Sequence, residues 1–189
     1  LVEVNCESDF VAKSDVFTKL CEDIAKAAAQ SGEEDAEKLK AVKTAEGAID
    51  ELITAATAKT GEKISLRRAT VQKNAGAIEE AYIHMGGKMG TLVEISADGA
   101  TSANTADIGA MAHDIAMHIA AFQPPYVRKS DVPQDAVDHE REIIKQQLMN
   151  DEKNKNKPEN VLAKIAEGKL GNFYKENCLL YQAFAKDPS

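Results

Sequence analysis

The sequence predicts an α+β fold: two related subdomains with antiparallel sheets and flanking helices, plus an inserted antiparallel helical hairpin. Three observations predict it. Residues 14–59 place apolar side chains at three- and four-residue steps, the period of helices with one buried face, whereas residues 63–95 alternate apolar and polar in the manner of strands. Leu92-Val93-Glu94-Ile95 restates Leu1-Val2-Glu3-Val4, and the same 91-residue offset carries Asp23-Ile24-Ala25 onto Asp114-Ile115-Ala116, so one strand–corner–helix unit occurs twice. Finally, two narrow-striped helical stretches flank the polar run Asn154-Lys155-Asn156-Lys157-Pro158, the pattern of a helical hairpin. These features divide the chain into a first core subdomain (1–77), a second (78–130 with 175–189) and a coiled-coil-like hairpin (131–174).

Taken in order, Leu1 to Asn5 alternates as a strand and leads into the corner Glu7-Ser8-Asp9-Phe10-Val11. A helix follows over residues 14–30, with Phe17, Leu20, Cys21, Ile24, Ala25 and Ala28 on one face, Ser14 or Asp15 as its cap and Ser31-Gly32 as its stop. Residues 33–43 read as a short charged helix and 45–59 as another, with Ile49, Leu52, Ile53 and Ala56 inward and Gly61 as its end. Strands over 63–71, 78–85 and 89–95 are spaced as an antiparallel meander, turning at Asn74-Ala75-Gly76 and Met85-Gly86-Gly87-Lys88. A helix over 104–122 is stopped by Pro124-Pro125. The hairpin helices follow: one over 136–153 with Val137, Ile143, Ile144 and Leu148, the next with Val161, Leu162, Ile165 and Ala166. Residues 177–185 return to extended, apolar sequence that rejoins the second sheet.

Composition narrows the function. The 189 residues are 43% hydrophobic, enough for a buried core, and the formal charge of −8 argues against direct nucleic-acid binding as the main role. No apolar run approaches the ~20 residues of a membrane-spanning helix, and no secretory leader is visible. Cys6, Cys21 and Cys178 form no CxxC pair and read as free thiols of a reducing compartment. Leu1 falls in mid-strand, as expected of a piece of a longer protein.

Known chemistries find little support. His113 and His118 are five residues apart, which turns them about 140° from each other on a helix and off a common ligand face. His84 and His139 stand alone, and no His-Glu-x-x-His or Gly-x-Ser-x-Gly occurs. Gly86-Gly87-Lys88 resembles part of a phosphate loop, yet Met89 follows where Ser or Thr belongs and Tyr82 replaces the first glycine. Arg67-Arg68 alternates on a strand, so the two are expected on opposite faces rather than as an anion clamp. Neither metal nor cofactor is expected, and no covalent chemistry.

What remains is the corner. A phenylalanine at a strand-to-helix corner either folds back onto its own core or is held out for a partner. In the repeat, Ser8-Asp9-Phe10 aligns with Gly99-Ala100-Thr101, so only the first copy carries the acid and the ring. Core packing would call for an apolar residue at both corners, and the asymmetry shifts weight toward a surface task.

Asn5-Cys6-Glu7-Ser8-Asp9-Phe10-Val11-Ala12-Lys13, with Phe17, closely resembles the signature of bacterial translation elongation factor Ts, the guanine-nucleotide exchange factor of elongation factor Tu. Ser8 stands where that family usually has threonine and keeps the hydroxyl. Gly61-Glu62-Lys63-Ile64 followed by Arg67-Arg68, Tyr82-Ile83-His84-Met85-Gly86-Gly87-Lys88-Met89-Gly90, and Met117-His118-Ile119-Ala120-Ala121 resemble further family runs. Met85 replaces a family glycine, which puts the shape of that loop in question.

The resemblance implies two three-stranded antiparallel subdomains and a projecting hairpin. It implies that Ser8, Asp9, Phe10 and Val11 bind elongation factor Tu and dislodge its Mg²⁺, with His84, Gly86 and Gly87 as a second contact. It further implies helical modules before Leu1 and after Ser189, and a home in the bacterial cytoplasm, an organelle being the alternative. A competing reading is an oligomerising scaffold whose hairpin makes a homodimer and whose corner merely packs; that reading hides the Phe10 ring, whereas an exchange factor exposes it.

Overall fold

The N-terminal strand β1 (Val2–Asn5) is followed by two helices in close succession, a single turn α1 (Asp9–Ala12) and the long α2 (Asp15–Ser31). Then come α3 (Ala36–Lys40), the short strands β2 (Lys43–Thr44) and β3 (Gly47–Ala48), α4 (Ile49–Thr60) and β4 (Ser65–Ala69). A hairpin of β5 (Ile78–His84) and β6 (Met89–Ile95) precedes α5 (Thr105–Phe122), α6 (Gln134–Asn150) and α7 (Glu159–Asn177). The structure is a computed structural model and describes residues 1–74, 77–96, 104–154 and 157–187. The corner expected at Gly99-Ala100-Thr101 and parts of two expected turns, Ala75-Gly76 and Lys155-Asn156, lie outside the described residues. Mixed helices and small antiparallel sheets make the fold α+β. Two compact units are present, Leu1–Ala116 and Met117–Ser189.

In the first unit the helical stripes meet as their periodicity requires. Phe17, Leu20, Ile24, Ala27 and Ala28 of α2 pack with Leu39, with Ile49, Ile53 and Ala56 of α4, and with Ile64 and Leu66. Each fully buried aliphatic side chain in such a cluster stabilises the fold by about 1.5–3 kcal/mol. The ends of α2 are set by local chemistry. The Ser14 hydroxyl accepts the Phe17 N–H at 3.3 Å, and Gly32 closes the helix at φ 72, a left-handed value that only glycine adopts without strain.

Residues 33–43 are less helical than their charge pattern suggests. Asp35 caps α3 by accepting the Glu37 and Lys38 N–H groups, both at 3.0 Å; the helix is only five residues long, and the β2–β3 ribbon begins at Lys43. That ribbon delays α4 to Ile49, because Gly47 at φ 134 supplies a turn inside the stretch expected to be helix from residue 45.

The meander is corrected. β4 does not pair with β5; it lies antiparallel to β1, with Val2 opposite Ala69, Glu3 opposite Arg68 and Val4 opposite Leu66. The Leu1 ammonium and the Leu1 carbonyl extend this ladder to Thr70, each at 2.8 Å. β1 carries a full set of backbone donors and acceptors that must be satisfied, and pairing with β4 does so while placing Leu66 in the α2–α4 core. β5 and β6 pair with each other in unbroken register from Ile78–Ile95 to His84–Met89. All three sheets among the described residues are therefore two-stranded.

A bulge in the β1–β4 ladder corrects a second reading. Between Glu3 and Val4 the partner register skips Arg67, so Arg67 and Arg68 no longer diverge. Both guanidiniums converge on one carboxylate: Arg67 Nη1 is 2.8 Å from Glu3 Oε1 and Arg68 Nε 2.5 Å from Oε2. The pair lowers the Glu3 pKa to about 2.

In the second unit, α6 and α7 form the antiparallel hairpin, with Val137, Ile144 and Leu148 buried on α6 and Tyr174 on α7. Residues 177–185 do not form the returning strand. α7 continues to Asn177, whose side chain donates to Phe173 O at 2.8 Å, and a 3-10 turn, Leu179–Tyr181, follows. Cys178 makes only an isolated parallel bridge to Tyr126. His118 ties this segment down: its Nδ1 accepts the Ala185 N–H at 3.2 Å, which leaves Nε2–H to donate to Gln182 Oε1 at 2.9 Å.

Candidate functional site

Ser8 has extended backbone angles, φ −125 and ψ 155, and its hydroxyl accepts the Val11 N–H at 3.3 Å, so it caps the one-turn helix α1. Ser14 repeats the device one turn later and also donates its hydroxyl to Val11 O at 2.7 Å. The corner is thus two capped helices back to back. Successive helical residues point about 100° apart, so burying Val11 in the core turns its neighbour Phe10 outward: Phe10 is 91% exposed. Asp9 precedes it, also exposed.

A carboxylate far along the chain fastens this turn. Glu62, just past the left-handed Gly61 that ends α4, accepts the Ser8 hydroxyl on Oε1, and on Oε2 it accepts the backbone N–H groups of Ser8 at 2.9 Å and Glu7 at 3.1 Å. These bonds, the Ser8 hydroxyl foremost, hold the Glu62 carboxyl below its ordinary value. Cys6 donates its thiol to Ser8 O at 3.4 Å, and burial raises its pKa, so it is a poor nucleophile.

The second candidate segment lies beside the first. The β5–β6 turn is a 3-10 turn, Met85–Gly87, in which Met85, Gly86 and Gly87 have φ of 51, 65 and 95. Met85 therefore adopts the left-handed shape in spite of its side chain. Next to it, Lys88 Nζ reaches Asp9, 3.1 Å from Oδ1 and 3.3 Å from Oδ2, and holds the Asp9 carboxyl below its ordinary value, through the hydrogen bond first and the charge second. His84 is exposed on β5; its Nδ1 is 2.7 Å from the Tyr82 hydroxyl and its ring stacks on Tyr82 at 5.6 Å. His113 of α5 meets the edge of Tyr82 and bonds Glu80 Oε1 at 2.7 Å through Nδ1.

Of the residues singled out in the sequence, Ser8, Asp9 and Phe10 lie at the surface of the corner, and Val11 faces inward as its anchor. His84, Gly86 and Gly87 lie on the neighbouring hairpin tip. Sequence reasoning missed Glu62 and Lys88. Both lie inside runs that carry the family resemblance, but their bonds span 54 and 79 residues and have no local signature. Among the described residues no group of three His, Cys, Asp or Glu side chains could hold a metal ion.

The family model described as elongation factor TS matches residues 7–189. The chain belongs to the elongation factor Ts family. It is 38% identical to elongation factor Ts of Symbiobacterium thermophilum over 187 residues, covering 99% of this chain and 59% of that protein. It is 49% identical to elongation factor Ts of Carboxydothermus hydrogenoformans over 108 residues, covering 57% of this chain and 48% of that protein. With elongation factor Ts of Caldanaerobacter subterraneus subsp. tengcongensis the identity is 45% over 108 residues, 57% of this chain and 52% of that protein. The chain thus spans about half to three-fifths of the length of these elongation factor Ts relatives.

Proposed function

We propose that this chain acts in translation elongation as the core of a guanine-nucleotide exchange factor for elongation factor Tu. The observation that carries the reading is the 91% exposure of Phe10 on a turn fixed from both sides. A rigid aromatic ring with no place in its own core loses little entropy when it fills a groove between helices of a partner. A scaffold that used the corner only for packing would bury that ring.

Exchange of this kind breaks no covalent bond and works by linkage. A factor that binds the nucleotide-free partner more tightly than the nucleotide-bound one must weaken nucleotide binding by the same factor. About 4–6 kcal/mol of differential binding, at ~1.4 kcal/mol per tenfold, brings a slowly released nucleotide into a physiological range. Phe10 supplies the wedge, and the Asp9 carboxylate competes for polar groups near the partner's Mg²⁺. Truncating one well-packed aromatic anchor costs roughly 2–4 kcal/mol, so a second contact is required. The turn bearing His84, Gly86 and Gly87 adjoins the corner through Lys88 and is suited to it. The test is the rate of fluorescent GDP release from elongation factor Tu as this chain is added; acceleration supports the reading, and binding without acceleration contradicts it.

A further inference from the structure

Phe10 does not set its own direction. Its backbone belongs to a single helical turn, too short to hold itself; the buried Val11 and the Ser14 hydroxyl hold the end of that turn, Lys88 reaches Asp9, and the Glu62 carboxylate holds its start. We propose that Glu62 is the positioning residue of the exchange corner, presenting Phe10 to the partner by gathering the Ser8 hydroxyl and the Ser8 and Glu7 N–H groups onto one carboxylate. The proposal rests on the exchange reading above.

The chemistry matches the residue type. Three converging donors need an acceptor-only group with two oxygens, which an ionised carboxylate supplies and a single carbonyl does not. Ser8 uses its hydroxyl twice, donating to Glu62 and accepting from Val11, so the carboxylate also orients the cap that shapes α1. Glu62 is itself placed by the end of α4: Gly61 turns the chain at φ 74, and the Glu62 N–H reaches the Thr60 hydroxyl at 3.4 Å. The path from the α4 core to the exposed ring therefore runs through Glu62, Ser8 and Phe10.

The experiment measures fluorescent GDP release from elongation factor Tu against concentration of the full chain, which separates the maximal rate from the half-saturating concentration. Wild type is compared with Glu62→Ala, Glu62→Gln, Phe10→Ala and the Glu62→Ala/Phe10→Ala double variant. Loss of a charge-assisted hydrogen-bond cluster is expected to lower the maximal rate about tenfold in Glu62→Ala. Glutamine, whose single carbonyl still serves the two backbone donors but which turns an amide N–H toward the Ser8 hydroxyl, recovers only part of that rate. In the Phe10→Ala background Glu62→Ala has no further effect, because it acts through the ring. A variant that merely lost folded protein would instead shift the half-saturating concentration and leave the maximal rate. An unchanged maximal rate in Glu62→Ala, or losses that multiply in the double variant, overturns the proposal. If wild type itself fails to accelerate release, the exchange reading falls. The positioning role is then decided by amide hydrogen exchange at Glu7 and Ser8, which must be protected in wild type and lose protection in Glu62→Ala while β1 and β4 do not.

Discussion

Lys88 Nζ lies 3.1 Å from Asp9 Oδ1, so the turn between β5 and β6 is joined to the corner that carries Phe10, across 79 residues of sequence. Both groups are exposed, and an ion pair of this kind contributes little to global stability because water and salt screen it. Its effect is local: it orders the acid beside the ring and lowers its pKa. Lys88→Met is expected to leave the melting temperature nearly unchanged and to raise the Asp9 pKa toward its ordinary value. A carbon-detected NMR titration of the Asp9 carboxyl measures this, and an unshifted midpoint would show that the pair does not persist in solution.

Glu3 bears the stronger perturbation. Its folded pKa, about 2, lies below the ordinary 4.5, so its contribution to stability is fully present above pH 4.5 and is lost as pH falls toward 2. The guanidiniums of Arg67 and Arg68 are largely exposed, and screening reduces the contribution to on the order of 1 kcal/mol. Glu3→Gln should lower the urea midpoint at pH 7 and make no difference near pH 2. A loss of equal size at both pH values would assign the effect to packing instead.

Met85 holds a left-handed φ of 51, a conformation that favours glycine. A side chain in that region costs roughly 1–2 kcal/mol, part of which glycine returns through the greater freedom of its unfolded chain. Met85→Gly is therefore expected to stabilise the chain by about 0.5–1 kcal/mol in chemical denaturation. A loss of stability would mean that the exposed Met85 side chain makes contacts that outweigh the strain.

Where local rules act alone, sequence and structure agree. Ser14, the apolar stripe from Phe17 to Ala28, and Gly32 mark α2 to within a residue of each end, since capping, periodicity and left-handed glycine are all local. The exposure of Phe10 was legible by comparison, because the repeat lacks a ring at the matching position. What failed involved distant partners. β4 chose β1 over its sequence neighbour β5, and a single bulge brought Arg67 and Arg68 onto one carboxylate against the two-residue rule of strands. At the corner, the acid and the ring were visible in the sequence. Glu62 and Lys88, which hold that corner in shape, were not, because only the folded topology brings them there.

In the proposed function the exposed Phe10 ring, held on a fixed corner, drives nucleotide release. The most direct measurement of this is the maximal rate of fluorescent GDP release from elongation factor Tu with wild type and with Phe10→Ala, each at saturating concentration. Phe10 has no core contacts to lose, so the variant is expected to melt with wild type. The loss of one aromatic anchor, roughly 2–4 kcal/mol, should then slow release by about 30-fold or more. A folded Phe10→Ala chain that accelerates release as well as wild type would contradict the account.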